Sequence, residues 1–181
     1  IASLMSAIYS GHTGHLVFDT LHAQSAVGGL TRMEIMGADR RLIADASLVI
    51  GLVSQRLVQT LCPHCSIPWS EMVRILPEEQ RDYLEKYCTE EGVCSPVNLR
   101  FHNPEGCEHC QQKLSTGRTI SAGLTGRTSI VEIVDTDARF MDRWLSHGTG
   151  AARQYWISKG GITRRMHLLR LLNQGLVDPL A

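Results

Sequence analysis

Four of the six cysteines stand as two matched pairs, Cys62-Pro-His-Cys65 and Cys107-Glu-His-Cys110, with 41 residues between them. Thiolates at C-x-x-C spacing can both be aimed at one ion by a single tight turn, and two such turns supply the closed tetrahedral set that structural zinc prefers. With no position left for water, Cys62, Cys65, Cys107 and Cys110 are expected to hold a structural Zn2+ rather than to catalyse. The competing readings are ordinary buried thiols or a redox-active dithiol. Pro63 stiffens the first turn and Gly106 relaxes the approach to the second. The long separation does not oppose the pairing, since loop closure grows only logarithmically with length. His64, His109 and His102 are nearby donors; a Cys-to-His ligand swap is the alternative, but all three are expected beside the ligands or in solvent. Cys88 and Cys94 are expected to be free thiols.

The elements that must position these residues follow from periodicity and punctuation. Ile1, Leu4, Met5 and Ile8 form one helical face at the start of the chain, which lacks an initial Met and reads as a fragment whose upstream part is missing. His15-Leu-Val-Phe-Asp-Thr-Leu21, after Gly11 and Gly14, has the β-formers of a short strand. Ser25 is placed to cap a helix to Met36 with Gly37 as its left-handed stop, and Asp39 to cap a second helix through Val49. A strand is predicted at Gln55–Leu61, and a helix at Pro77–Tyr87 with Pro at its first position and Glu78 and Glu79 at its positive end. Gln111–Gly126, rich in Gly, Ser and Thr, reads as an exposed loop, Arg127–Val134 as a strand, and helices are predicted at Thr136–Ser146, Thr149–Ser158 and Thr163–Asn173. The apolar circumference around Met166, Leu168, Leu169, Leu171 and Leu172 is expected to pack in a bundle with the helix bearing Phe140, Met141, Trp144 and Leu145.

Composition narrows the function classes. The 181 residues are 43% hydrophobic, enough for a core without disulfides. Lys plus Arg and Asp plus Glu number 18 each, so the chain lacks the basic footprint that neutralises a phosphate backbone. No apolar run is long enough to span a bilayer, and the first ten residues lack the charged start of a signal peptide. A cytosolic protein is expected. Fifteen of the 18 basic residues are Arg, the better partner for bidentate contacts at subunit boundaries.

Several ordered blocks resemble one family. Thr13-Gly-His-Leu-Val-Phe-Asp-Thr-Leu-His22, Ser25-Ala-Val-Gly-Gly-Leu-Thr-Arg32, Met36-Gly37, Gln55-Arg-Leu-Val-Gln-Thr-Leu-Cys-Pro-His-Cys65, Gly106-Cys-Glu-His-Cys110 and Gly126-Arg-Thr-Ser-Ile-Val-Glu132 are similar to the C-terminal half of the type II secretion and type IV pilus assembly ATPases. The resemblance implies an α/β fold: the C-terminal part of a RecA-like ATPase core, a four-cysteine zinc-binding insertion and a C-terminal helical bundle. The corresponding boundaries are 1–61 for the core portion, 62–110 for the zinc subdomain, 111–134 for a loop and returning strand, and 135–181 for the helical subdomain.

The resemblance also implies a hexamer that hydrolyses ATP with Mg2+, a cytoplasmic position at the bacterial inner membrane, and an inner-membrane platform or docking protein as partner, with no nucleic acid. His22 and His15 fall in the histidine box, which in such ATPases lies beside the γ-phosphate; an imidazole there can donate a hydrogen bond to a phosphate oxygen and report its loss. His22 is the first choice for that sensor and His15 the second, while Arg56 and Arg127 are read as structural pins. A P-loop needs a Gly-Lys pair, and none of Lys86, Lys113 and Lys159 follows a Gly, so these residues alone are expected to be inactive. The family's usual Thr-Asn after the histidine box is Ala23-Gln24 here, and the stretches after Cys65 and Cys110 are long, pointing to a branch such as a conjugative pilus system. The relatives that carry the four cysteines favour extension or secretion over retraction. A different class of function, a non-catalytic zinc-stabilised binding module, stands as the alternative, though neutral charge and ten aromatic residues argue against a nucleic-acid role.

Overall fold

The computed structural model describes residues 2–90, 92–113, 115–117, 119–120 and 122–181. In chain order the elements are helix α1 (Ala2–His12), α2 (Gly28–Ile35) and α3 (Arg40–Ile43), strand β1 (Gly51–Leu61), β2 (Ile67–Pro68), α4 (Trp69–Met72), α5 (Glu78–Thr89), a 3-10 turn at Pro96–Asn98, β3 (Arg100–Phe101), β4 (Gln112–Lys113), β5 (Thr119–Ile120), β6 (Leu124–Asp135), α6 (Ala138–Ser158) and α7 (Arg164–Asn173). Among the described residues the strands pair two by two, β1 with β6, β2 with β3 and β4 with β5. Helix and strand are thus mixed, as in an α/β ATPase domain. The chain divides into two compact units: Ile1–Gln55 with Val131–Thr163, and Arg56–Ile130 with Arg164–Ala181. No helix among the described residues is long and apolar enough to cross a membrane.

In the first unit, Leu4 and Ile8 of α1 pack with Val27, Leu30, Met33, Ile43, Leu52, Val134, Phe140, Met141, Trp144 and Trp156; Ile1, the first residue of the expected stripe, lies outside the described residues. Burying a side chain the size of Leu or Phe contributes about 1.5–3 kcal/mol, so this cluster is what holds the unit. Gly37 ends α2 as expected, with φ +96°. The N–H of Gly37 donates to the Glu34 carbonyl (3.0 Å) and that of Ala38 to the Met33 carbonyl (3.1 Å), the paired bonds of a Schellman stop. Asp39 caps α3 through the N–H groups of Arg41 and Leu42, but α3 ends at Ile43 rather than Val49. The cause is Asp45, whose carboxylate accepts from both the N–H (2.8 Å) and hydroxyl (2.6 Å) of Ser47 and starts a new turn.

Helix α6 contains the predicted break: Gly148, at φ 82° and ψ −176°, separates two helical halves. Carbonyls that the break deprives of partners are collected by Arg40, whose Nη2 donates to Trp144 O (3.4 Å) and Leu145 O (3.3 Å). The indole of Trp156, in the second half, donates to Ile133 O at 3.1 Å.

Three further expectations change. His15–Leu21 is not a strand; among the described residues no strand pairs with it, and β-forming side chains without a ladder do not make one. The loop expected at Gln111–Gly126 contains the β4–β5 hairpin and the start of β6, while Leu114, Arg118 and Ser121 lie outside the described residues. The helix at the C-terminal end does not share a core with Phe140, Met141 and Trp144: Leu169, Leu171 and Leu172 pack with Trp69, Leu84, Leu99, Phe101 and Val177 in the second unit. Periodicity gave the buried face of α7 correctly and its partner incorrectly.

Candidate functional site

The second unit brings all four paired cysteines together. β1 delivers Cys62, whose N–H donates to Gly123 O (2.8 Å), and the tight turn to Cys65 closes with Ser66 N–H on Cys62 O (3.0 Å). The second turn repeats this: the N–H groups of Cys110 (3.1 Å) and Gln111 (2.9 Å) both donate to Cys107 O. The four sulfurs lie within 4.8 Å of one another. Sγ separations are 3.8 Å for Cys62 and Cys107, 3.7 Å for Cys65 and Cys110, and 3.8 Å for Cys107 and Cys110. Zinc bound to sulfur at about 2.3 Å requires tetrahedral edges of about 3.8 Å, so this donor set fits the ion in number, chemistry and size.

Backbone N–H groups surround one sulfur. Cys110 Sγ accepts from Cys107 N–H (3.2 Å) and Gly123 N–H (3.1 Å). Gly123 has φ +74°, and a Cβ there would lie 2.1 Å from Asn103 O and 2.7 Å from the His102 ring, so only glycine brings this N–H to the sulfur. Gly106, at φ +64°, faces it across an equally close approach, with 2.9 Å from a Cβ to Gly123 N. His102 does not point into the cluster; its Nε2–H donates to Ala122 O (2.8 Å), while its own N–H donates to Asp178 (2.8 Å). His64 and His109 are exposed and stack on each other with ring centroids 4.0 Å apart.

Burial, helped by the surrounding sulfurs, pushes the Cys65 thiol well above its ordinary range. Burial likewise raises Cys107. At Cys110 burial acts in the same direction but is outweighed by the N–H groups of Cys107 and Gly123, which bring the thiol down to about 7. One sulfur is therefore ready as a thiolate, and a divalent ion would supply the charge that Cys65 and Cys107 need. Cys88 and Cys94 are both buried away from this cluster, with Cys88 pushed up to about 12 by burial and by Cys94.

The histidines differ. His15 and His22 are exposed on the irregular segment of the first unit between α1 and α2, and no contact joins them among the described residues. His15 Nδ1 is 3.1 Å from Thr13 Oγ1. It also lines a cavity of about 390 Å³ with Leu4, Ile8, Val17, Leu48 and Leu52, whereas His22 does not. Neighbouring apolar side chains are strongly exposed, with Leu16 at 70% and Phe18 at 89%. Arg56 and Arg127 are exposed on β1 and β6 and make no ion pair among the described residues.

Residues 2–162 match the family model described as "Type II/IV secretion system protein". The chain belongs to that family. Among relatives, the "Type II secretion system ATPase E" of Vibrio cholerae is 31% identical over 173 residues, covering 93% of this chain and 32% of that protein. The "Type II secretion system protein E" of Pseudomonas aeruginosa is 35% identical over 131 residues, 72% of this chain and 22% of that protein. The "Type IV pilus assembly ATPase TfpB" of Acinetobacter baylyi is 31% identical over 131 residues, 72% and 19% respectively. This secretion-family chain thus spans between about a fifth and a third of the length of such relatives.

Two features of the site escaped the sequence reading. Gly123 was one small residue in a stretch taken as loop. Glu132 is 4% exposed on β6 and accepts from Ala26 N–H (3.2 Å). An acid isolated among Ile130, Val131, Ile133 and Val134 was the available signal.

Proposed function

We propose that this chain is a C-terminal portion of a hexameric ATPase that powers type II secretion or type IV pilus assembly, including conjugative pili, with the zinc cluster as its structural staple. The match over residues 2–162 to the secretion family, whose relatives include proteins named as ATPases, carries this reading. Cys62, Cys65, Cys107 and Cys110 would hold Zn2+, which supplies folding energy and no open ligand position for a reaction. In the whole protein ATP and Mg2+ bind against a RecA-like core, and His22, with His15 in reserve, donates to the γ-phosphate from the exposed segment. Hydrolysis withdraws that acceptor and the segment reports the change. The motor works in the cytoplasm against an inner-membrane platform protein.

Phosphate release by the full-length protein, wild type against His22→Ala, tests the reading. Turnover that falls while nucleotide binding persists supports a γ-phosphate sensor. Equal turnover in the two proteins removes His22 from the cycle, and no turnover in either removes the ATPase assignment.

A further inference from the structure

Between its ends, the histidine segment rests on the packing of Leu21 against the core of the first unit rather than on hydrogen bonds. Among the described residues, Leu16 to Ala23 make no hydrogen bond to another part of the first unit; the one bond within the stretch is Thr20 N–H to its neighbour Asp19 at 2.8 Å. At the leading end the segment is tied by His15 N–H to Ser10 O (3.1 Å) and by the contact of His15 with Thr13. At the trailing end the chain enters α2 through a buried turn. There Glu132 accepts the N–H of Ala26, Ser25 Oγ accepts the N–H of Gly28 (3.1 Å), and Ala26 and Val27 are both buried.

Glu132 is the one buried acid among the described residues, and it reaches the turn from 106 positions away in sequence. A buried carboxyl group is costly unless hydrogen-bonded, and the N–H of Ala26 supplies such a bond to Glu132. Its position also suits the positive end of α2, whose first residue is Gly28. The acid therefore anchors the backbone four residues beyond His22.

We propose that Glu132 is the positioning residue of the histidine segment: by clamping Ala26 it sets where His22 stands when nucleotide is bound. This rests on the sensor reading of His22. Glu132 itself touches no nucleotide in this account and acts only through the chain it holds.

The test is a double-mutant cycle on ATP turnover by the full-length protein, using Glu132→Ala, Glu132→Gln, His22→Ala and the double variant Glu132→Ala/His22→Ala. Glu132→Ala should lower kcat by about 10-fold or more, within the roughly 100-fold loss that a displacement of ~1 Å can cause, with KM for ATP little changed. Glu132→Gln, whose amide oxygen can accept the same N–H, should restore most of the rate. In the His22→Ala background Glu132→Ala should add nothing. An equal loss in both backgrounds would mean a structural role alone and would overturn the proposal, as would wild-type kcat in folded Glu132→Ala. Full turnover by His22→Ala would remove the sensor reading, and this inference with it, and is told apart by that single variant. If Glu132→Ala does not fold, Glu132→Asp, which withdraws the carboxylate by one methylene, carries the same cycle.

Discussion

The two units hold their candidate chemistry in opposite ways. In the second, four ligands arrive on two tight turns, their sulfurs already 3.7–3.8 Å apart along three edges, and Gly123 places an N–H against one of them. Everything the ion requires is inside the unit. In the first, His15 and His22 stand exposed on a segment that has no strand partner among the described residues. A metal site made by local turns is complete once those turns meet, whereas a nucleotide sensor is defined by what approaches it. The difference can be sharpened by perturbing each unit separately.

The largest effect is expected from the sulfurs. Cys62→Ser or Cys107→Ser should lose bound zinc and cooperative melting of the second unit, since structural zinc contributes on the order of 10 kcal/mol of apparent binding energy to folding. Metal analysis with thermal unfolding reads this out; unchanged zinc and midpoint in both variants would dismiss the site. The first unit, monitored through Trp144 and Trp156, should be affected less.

Next is Gly123→Ala, which adds a Cβ 2.1 Å from Asn103 O at a backbone φ of +74°. A loss of about 3 kcal/mol in urea unfolding is expected, from strain and displacement of the N–H on Cys110. A loss below about 0.5 kcal/mol, the range of ordinary surface changes, would contradict the close approach.

Legibility in the sequence divided along the same line. The cysteine pairs could be read because their spacing alone encodes a turn that converges two thiolates. Gly148 could be read as a boundary between two helices, and Pro77 with Glu78 and Glu79 as the start of α5, because each signal acts within one turn of chain. His15–Leu21 could not, because β-forming side chains specify a strand only when another strand accepts its ladder. The partner of α7 was equally out of reach: its leucines mark a buried face but not which of two cores receives it. Glu132 required knowing that Ala26, 106 residues away, presents an N–H to it.

A smaller effect should appear at alkaline pH. Cys88 is raised to about 12 in the folded chain against an ordinary value near 9, so its contribution to stability is fully present below pH 9 and is lost as pH rises towards 12. Between pH 9 and pH 10.5 this amounts to about 1–2 kcal/mol. Urea midpoints across that range should fall more steeply in wild type than in Cys88→Ala; parallel slopes would show that the buried thiol is not the cause.

The smallest stability effect belongs to the first unit's exposed segment. His22→Ala should change the unfolding free energy by no more than about 0.5 kcal/mol, as expected of a surface side chain without a partner in its unit. A loss above about 1 kcal/mol would mean that His22 is held within the unit, and the contrast between the two sites would fail.

The interleaving of the two units along the chain also governs the order in which a ribosome can finish them. Unit one waits for Val131–Thr163 and unit two for Arg164–Ala181, so the unit begun second is also completed last. All four clustered sulfurs have nevertheless been synthesised by Cys110, well before Leu169, Leu171 and Leu172 arrive to close their core. At roughly 5–20 residues per second, that interval lasts several seconds. Metal capture can thus precede the closing of that core, and the second unit can be tied across its length by an ion before its leucines pack.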